Sequence, residues 1–256
     1  MKKRVWKTLL GILVLVSLTV FGVGAYSLTR YLKTSPRFEV GKVAVAGLRR
    51  VERSQVLARA GLPNTLNVFS VNLAEVRERI ERLKWVRYAT VQRILPNTIS
   101  IQIVERQPVG LARIRGEIYQ FDAQAELLEP ERGEGVNFPI LDGLRAEVSE
   151  VNLKKVELYL RVMDELHGQN ELSEVHINDI GEVSVVSLSE PLLVNLGQDD
   201  FKARWERYLQ LRAQIQRDFP ETVQVDFRFK DQVILKMNAD APDEQKVVWD
   251  VEKKSL

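Results

Sequence analysis

Residue types that often carry enzyme chemistry are few in this chain, and their spacing matches no catalytic pattern. Its only histidines are His167 and His176, and cysteine is absent. The histidines have no thiolate partners and do not fall in the His-Glu-x-x-His pattern, so no zinc site is predicted. We interpret His167 as a partner for carbonyls at a helix C-terminus and His176 as a polar position on a strand.

Nucleophile and phosphate-binding motifs give the same result. Outside the apolar residues 8–29 there is no Gly-x-Ser-x-Gly elbow and no glycine-rich phosphate loop. A glycosidase pair such as Glu129 and Glu131 stays open, since two carboxylates need only meet in space, but their turn-like surroundings give it no specific support. The sequence therefore predicts no enzyme, no cofactor and no metal site.

The longest uncharged run, residues 8–29, is dominated by Leu, Val and Ile. At about 1.5 Å per residue it reaches roughly 33 Å, which matches the hydrocarbon core of a bilayer and predicts a transmembrane helix. Basic residues crowd its N-terminal side and are sparser after it: Lys2, Lys3, Arg4 and Lys7 against Arg30, Lys33 and Arg37. This bias predicts a cytoplasmic N-terminus and an exported C-terminal part.

A cleaved signal peptide is the alternative to a permanent membrane anchor. Val23-Gly24-Ala25 would suit a small-residue cleavage site after a basic start. The apolar run is longer than the usual hydrophobic region of about 7 to 15 residues, which favours the anchor. Either interpretation exports the same part of the chain, a length of about 220 residues that suffices for two domains.

The composition of the chain narrows its class further. Without cysteine, the exported part must be held by hydrophobic packing and not by disulfides. Lys and Arg number 37 against 35 Asp and Glu, in short mixed runs, which argues against a nucleic-acid surface.

The first exported segment has the pattern of a small α+β unit. A strand is predicted over 38–45, a short helix over 51–60 and a second helix beginning after Asn72. Two strands follow over 85–95 and 98–105, and Ile99, Ile101 and Ile103 of the second share one face. Two helices on a three-stranded sheet would account for every apolar stripe.

Specific residues in this segment resemble a known family. The order β-α-α-β-β after a single span resembles a POTRA domain. Trp85-Val86, Arg93 before Pro96-Asn97-Thr98, and Glu105-Arg106-Gln107-Pro108-Val109 together are similar to the FtsQ/DivIB family of bacterial cell division proteins. The resemblance implies an α+β fold: one transmembrane helix, a POTRA domain, and a β-rich mixed-sheet domain with helices.

The rest of the chain agrees with the family's second domain. Phe138-Pro139-Ile140-Leu141-Asp142-Gly143 resembles a family segment. Strands are predicted over 116–121, 172–177, 183–188 and 192–196, helices over 151–167 and 201–218, and a terminal hairpin over 223–229 and 233–237. The first of these helices has an apolar stripe that we expect to be buried: Leu153, Val156, Leu160, Met163 and Leu166.

Together these patterns predict six segments: a cytoplasmic tail over 1–7, a transmembrane helix over 8–29, a linker over 30–37, a POTRA domain over 38–106, an FtsQ-type β domain over 107–237 and a C-terminal tail over 238–256. The tail contains the apolar cluster Val247-Val248-Trp249. It could be a local strand, a docking peptide or an irregular end.

The family resemblance implies a noncatalytic scaffold of the division machinery at the septum of the cell inner membrane. Such a scaffold recruits the FtsB and FtsL proteins and helps control septal peptidoglycan synthesis. The family's last strand can pair with a strand of FtsB, so we expect partner contacts at Phe227, Arg228, Phe229, Val233, Ile234, Leu235 and Lys236. About half of these must be core residues, because a strand has two faces.

Two other function classes remain as alternatives. An exported cell-wall hydrolase would need a polar cleft in the β domain. An envelope assembly or secretion factor with a POTRA domain normally continues into a β-barrel, and the roughly 130 residues that follow here are too few and wrongly patterned for one.

Overall fold

The computed structural model describes residues 2–63, 66–130, 137–147, 149–166, 171–237 and 246–250. The chain divides into two compact units, Met1–Arg106 and Gln107–Leu256. The predicted α+β class, with an apolar N-terminal helix ahead of the sheets, is confirmed. Glu131 and His167 lie outside the described residues.

The N-terminal helix α1 covers Lys2–Thr34, and its part Gly11–Thr34 is long and apolar enough to cross a membrane, with a mean hydropathy of 2.0. It continues through most of the linker predicted over 30–37. Residues 30–34 contain neither Gly nor Pro, so nothing interrupts the helix before Ser35. Ser35 precedes Pro36, and a residue before proline disfavours the helical conformation.

The remainder of the first unit has the predicted order β-α-α-β-β. Its elements are β1 (Lys42–Ala46), α2 (Arg53–Ala60), α3 (Leu73–Glu81), β2 (Val86–Ile94) and β3 (Thr98–Glu105). Strand β3 lies in the centre, parallel to β1 and antiparallel to β2. The predicted isoleucine stripe of β3 is buried, as are Val56 of α2 and Ile80 of α3.

Glu105, the glutamate of the family-like motif, fixes the connection between β1 and α2. Its carboxylate accepts hydrogen bonds from the backbone N–H groups of Arg49, Arg50 and Val51 at 2.9–3.1 Å. Burial acts to raise the pKa of Glu105, but these hydrogen bonds outweigh it, so the pKa is lowered. The loop is thus held by a charged acceptor from the end of the central strand.

Two other residues of the motif have similar structural roles. The Arg93 guanidinium donates to the carbonyl oxygens of Val68 and Val71 at 2.7 and 2.6 Å, which fixes the segment before α3. The buried Trp85 ring lies beneath the Arg50 guanidinium, 4.5 Å from it. These contacts explain why the unit needs those residue types at those positions.

The second unit is built on one long sheet. Its strands are β4 (Pro108–Ile114), β5 (Glu117–Asp122), β6 (Leu127–Pro130), β7 (Ile140–Asp142), β8 (Leu172–Ile177), β9 (Val183–Ser187), β10 (Leu193–Gly197), β11 (Thr222–Asp226), β12 (Gln232–Met237) and β13 (Lys246–Asp250). Their spatial order is β13-β12-β11-β10-β9-β8-β7-β4-β5-β6. The helices are α4 (Glu150–Glu165) and α5 (Phe201–Asp218), and their buried residues share one core with the sheet.

A single row of apolar residues crosses this sheet from strand to strand. Register pairs join one residue of each strand to the next, from β4 to β12: Ala112, Leu141, Val175, Val185, Val194, Val225 and Leu235. Each of these side chains is fully buried. The row is the centre of the core on which the helices pack.

The buried face of α4 differs from the predicted stripe. Val156 and Leu166 are buried as expected, but Leu153 is 36% exposed, whereas Lys155 and Tyr159 are buried. Lys155 tolerates burial because its ammonium donates to the Gly143 carbonyl and to the Asp179 carboxylate, both at 2.7 Å. An apolar pattern cannot anticipate a buried lysine whose partners come from distant turns.

We predict that Glu105→Gln lowers the free energy of unfolding of the first unit by about 1–2 kcal/mol at pH 7, because a neutral amide is a weaker acceptor for three N–H groups. The stabilisation is present above the ordinary carboxyl pKa of 4.5 and is lost as the pH falls through the lowered pKa of the folded state. The difference between the two proteins should therefore shrink below about pH 4.5 in calorimetric unfolding.

The matched control is Glu78→Gln, which removes an exposed carboxylate paired with Arg82 at 2.9 Å within one helix turn. Such pairs contribute about 0.5 kcal/mol or less, so this variant should unfold almost like the unmodified chain. Equal losses in both variants would contradict the assigned role of Glu105.

Candidate functional site

The residues predicted to contact a partner lie at one end of the long sheet, on β11, β12 and the turn between them. Helix α5 ends at Asp218, before Phe219 and Pro220, and the chain then enters β11. The structure corrects the predicted extent of the hairpin: β11 ends at Asp226, so Phe227, Arg228 and Phe229 belong to the turn.

Three of the predicted contact residues are core residues. Phe227, Val233 and Leu235 are 1%, 0% and 0% exposed. The Phe227 ring packs edge-on against Tyr208 of α5 at a centroid distance of 6.0 Å. These side chains belong to the core that the hairpin shares with α5.

Three of the other predicted contact residues are at least partly accessible. Phe229 is 40% exposed in the turn. Ile234 and Lys236 are half-buried and alternate along β12 with the buried Val233 and Leu235, so they lie on the other face of the sheet. The structure therefore separates the predicted set into a core half and an accessible half, as the two faces of a strand require.

Arg228 is engaged within the protein. Its guanidinium donates to both carboxylate oxygens of Asp226, at 2.7–3.0 Å, and to Glu182 before β9 at 2.5 Å. The hydrogen bonds that Arg228 donates to Asp226 are the main reason that the pKa of Arg228 is raised. The arginine joins the β11–β12 turn to the neighbouring part of the sheet.

The outer side of β12 is covered by the chain itself. The segment Lys246–Asp250, within the region predicted as a C-terminal tail, forms strand β13 and pairs antiparallel with β12 from Gln232↔Asp250 to Lys236↔Lys246. Of the three possibilities for Val247-Val248-Trp249, the local strand is the one observed. These residues were not predicted as part of the sheet, although their apolar cluster was the signal that could have indicated a strand.

One hydrogen bond sets the direction of the backbone groups at this edge. The Phe227 N–H donates to the Asn195 carbonyl of β10 at 3.0 Å. Successive residues of a strand direct their N–H and C=O groups to opposite sides, so Asp226 directs its groups at β12. Its register partner Ile234 must then direct its own groups back at β11.

The same alternation extends to β13. Val233 and Leu235 direct their backbone groups away from β11, toward their register partners Trp249 and Val247. The N–H groups of Val247 and Trp249 therefore face β12, and that of Val248 faces the open side of β13. Val248 is also 58% exposed.

The second histidine, which was predicted as a polar position on a strand, lies in a charged cluster on β4, β7 and β8. His176 lies 3.3 Å from Asp142 and 3.1 Å from Glu174, and Arg113 pairs with Glu174 at 2.6 Å. The Arg113 hydrogen bond is the main reason that the pKa of Glu174 is lowered. Across the described parts of the chain, no three His, Cys, Asp or Glu side chains are arranged to hold a metal ion.

Comparisons with known proteins match both units. The family model for the POTRA domain, FtsQ-type, matches residues 38–106, and the model for the C-terminal part of the cell division protein FtsQ/DivIB matches residues 111–228.

Among similar proteins, cell division protein FtsQ of Koribacter versatilis (strain Ellin345) is 30% identical over 247 residues, which cover 91% of this chain and 71% of that protein. The protein of the same name from Geotalea daltonii (strain DSM 22248 / JCM 15807 / FRC-32) is 26% identical over 229 residues, with coverages of 86% and 83%. The major extracytoplasmic domain of DivIB from Geobacillus stearothermophilus matches 44% of this chain and 97% of its own, with a TM-score of 0.31 and 16% identity.

We predict that Leu235→Ala lowers the free energy of unfolding of the second unit by about 2–5 kcal/mol, because it leaves a cavity in the buried apolar row. Ile234→Ala, one residue away on the other face, should cost about 1 kcal/mol or less. Thermal and urea unfolding of the two variants measure the difference. Similar losses would contradict the assignment of these neighbours to opposite faces.

Proposed function

Because this chain belongs to the FtsQ/DivIB family of bacterial cell division proteins, we propose that it is a noncatalytic scaffold of the division machinery. In this role it recruits or links FtsB and FtsL at the septum and so helps control septal peptidoglycan synthesis. Family membership supports a part in cell division, and the geometry of the second unit supports a role in binding proteins.

The observation that carries the proposal is the end of the long sheet at β11–β13. A sheet that ends in a strand with unpaired backbone groups can accept an extended segment of another protein, which is β-augmentation. The backbone groups of Val233 and Leu235, which pair with β13 in this structure, would fix the register of that segment once β13 leaves. Side chains on the accessible half of the site, those of Phe229, Ile234 and Lys236, would select its sequence.

The apolar helix and its flanks support a location for this scaffold. We propose that residues 1–7 lie in the cytoplasm and that α1 crosses the inner membrane once, so that the two domains over 38–106 and 107–237 lie in the periplasm. The unit over 38–106 would then help to localise the protein to the septum, and the unit over 107–237 would bind the partners.

We predict that Val233→Pro weakens binding of the host's FtsB and FtsL periplasmic segments at least tenfold, a change of about 1.4 kcal/mol. Proline removes the N–H group that Val233 directs at the outer side of β12. Affinity is measured with the full chain in nanodiscs, and circular dichroism checks that the variant is folded. Unchanged affinity in a folded variant would exclude this edge.

The charge on the accessible face of β12 offers a second test. Lys236→Glu should weaken binding of an acidic partner segment several-fold and reduce its association rate most strongly at low salt. The control is Lys230→Glu, which makes the same charge change in the exposed turn before β12. Equal effects of the two substitutions would indicate general attraction and not contact at β12.

A further inference from the structure

The register of the sheet extends from β12 to strand β13. Val247 is in register with Leu235, the last fully buried member of the apolar row, on β12. Trp249 is in register with Val233, which is also fully buried. The chain's own segment therefore has apolar residues two positions apart, opposite the two core residues of β12, which is the pattern that a strand at this edge requires.

The open side of β13 differs from that of β12. The backbone groups that face the open side of β13 belong to Lys246, Val248 and Asp250. The first and last residues of this five-residue strand are charged. Short strands with charged residues are a common protection of sheet edges against further pairing. This arrangement favours β13 as the end of the sheet and disfavours it as a template for another strand.

Position in the chain favours an intramolecular strand. Only residues 238–245 separate β13 from β12, and a segment joined by so short a connection has an effective concentration on the order of millimolar. A partner strand must compete with it for the same backbone groups. The apparent affinity of the partner is then reduced by the fraction of molecules in which β12 is uncovered.

We propose that Lys246–Asp250 is a self-strand that occupies the partner-binding edge of β12 and must leave before a partner strand binds; this inference rests on the function proposed above. The self-strand also indicates what the partner looks like. It is an extended segment that runs antiparallel to Gln232–Met237 and has apolar residues two apart to meet Val233 and Leu235.

The backbone directions provide a matched pair of variants in the full chain. Val247→Pro removes an N–H group that faces β12 and should release the self-strand. Val248→Pro removes the neighbouring N–H group, which faces the open side, and should leave the self-strand in place. Both substitutions put the same residue in the same terminal strand, so general effects of proline are common to the two.

Two measurements are made on the unmodified chain and both variants in nanodiscs. The first is hydrogen exchange of the Val233 and Leu235 amides without partner, which should be faster only in Val247→Pro. The second is affinity for the host's FtsB periplasmic segment. If the self-strand covers β12 in about nine of ten molecules, Val247→Pro should bind about tenfold more tightly and Val248→Pro should be unchanged.

Other outcomes overturn the inference in distinguishable ways. Unchanged exchange in Val247→Pro means that the self-strand does not hold the edge. Equal affinity in all three proteins means that it does not compete. Binding lost in Val248→Pro and weakened in Val247→Pro means that the partner adds to β13, and the scaffold function then survives without competition. If none of the three proteins binds the segment, the proposed function itself fails and the inference fails with it.

Discussion

Every strand has hydrogen-bonding groups on two sides, so an open sheet must end in two strands that are satisfied on one side only. This constraint organises the second unit, where the described strands form a single sheet from β13 to β6. At one end, β6 is four residues long and finishes at Pro130, which has no N–H group to offer. At the other end, β13 covers β12 with a short strand between Lys246 and Asp250. Both ends thus limit further pairing, by different means.

Much of this architecture could be predicted from the sequence because its signals are local. Helix α5 has the predicted bounds, and β2 and β3 follow from alternation and from Pro96-Asn97 between them. The strand predicted over 38–45 begins only at Lys42. The candidate site was harder to predict, because the chain leaves β11 at Asp226, where Arg228 pairs with Asp226 and with the distant Glu182. A pattern of alternating residues gives no sign of that contact.

The remaining differences also arise from long-range partners. Lys155 is buried because two turns far along the chain accept its ammonium hydrogen bonds. Strand β13 pairs with β12, which precedes it by an intervening segment, whereas the sequence of β13 alone shows only a short apolar cluster between charged residues. The resemblance to the family was carried by Trp85, Arg93 and Glu105, which build the first unit, so it identified the fold more firmly than the contact residues.

The connection between α1 and the first sheet has a mechanical consequence. A flexible linker of eight residues would have a root-mean-square end-to-end distance of roughly 15 Å and would leave the domain free to move over that range. Here the Ser35 N–H donates to the Tyr31 carbonyl, and the Asn67 carboxamide donates to the Leu32 carbonyl at 2.9 Å. These hydrogen bonds connect the end of α1 directly to the part of the first unit that contains the sheet. If α1 crosses a bilayer as proposed, a change in its tilt would also change the height and angle of the sheet that follows it, so bilayer thickness would affect both.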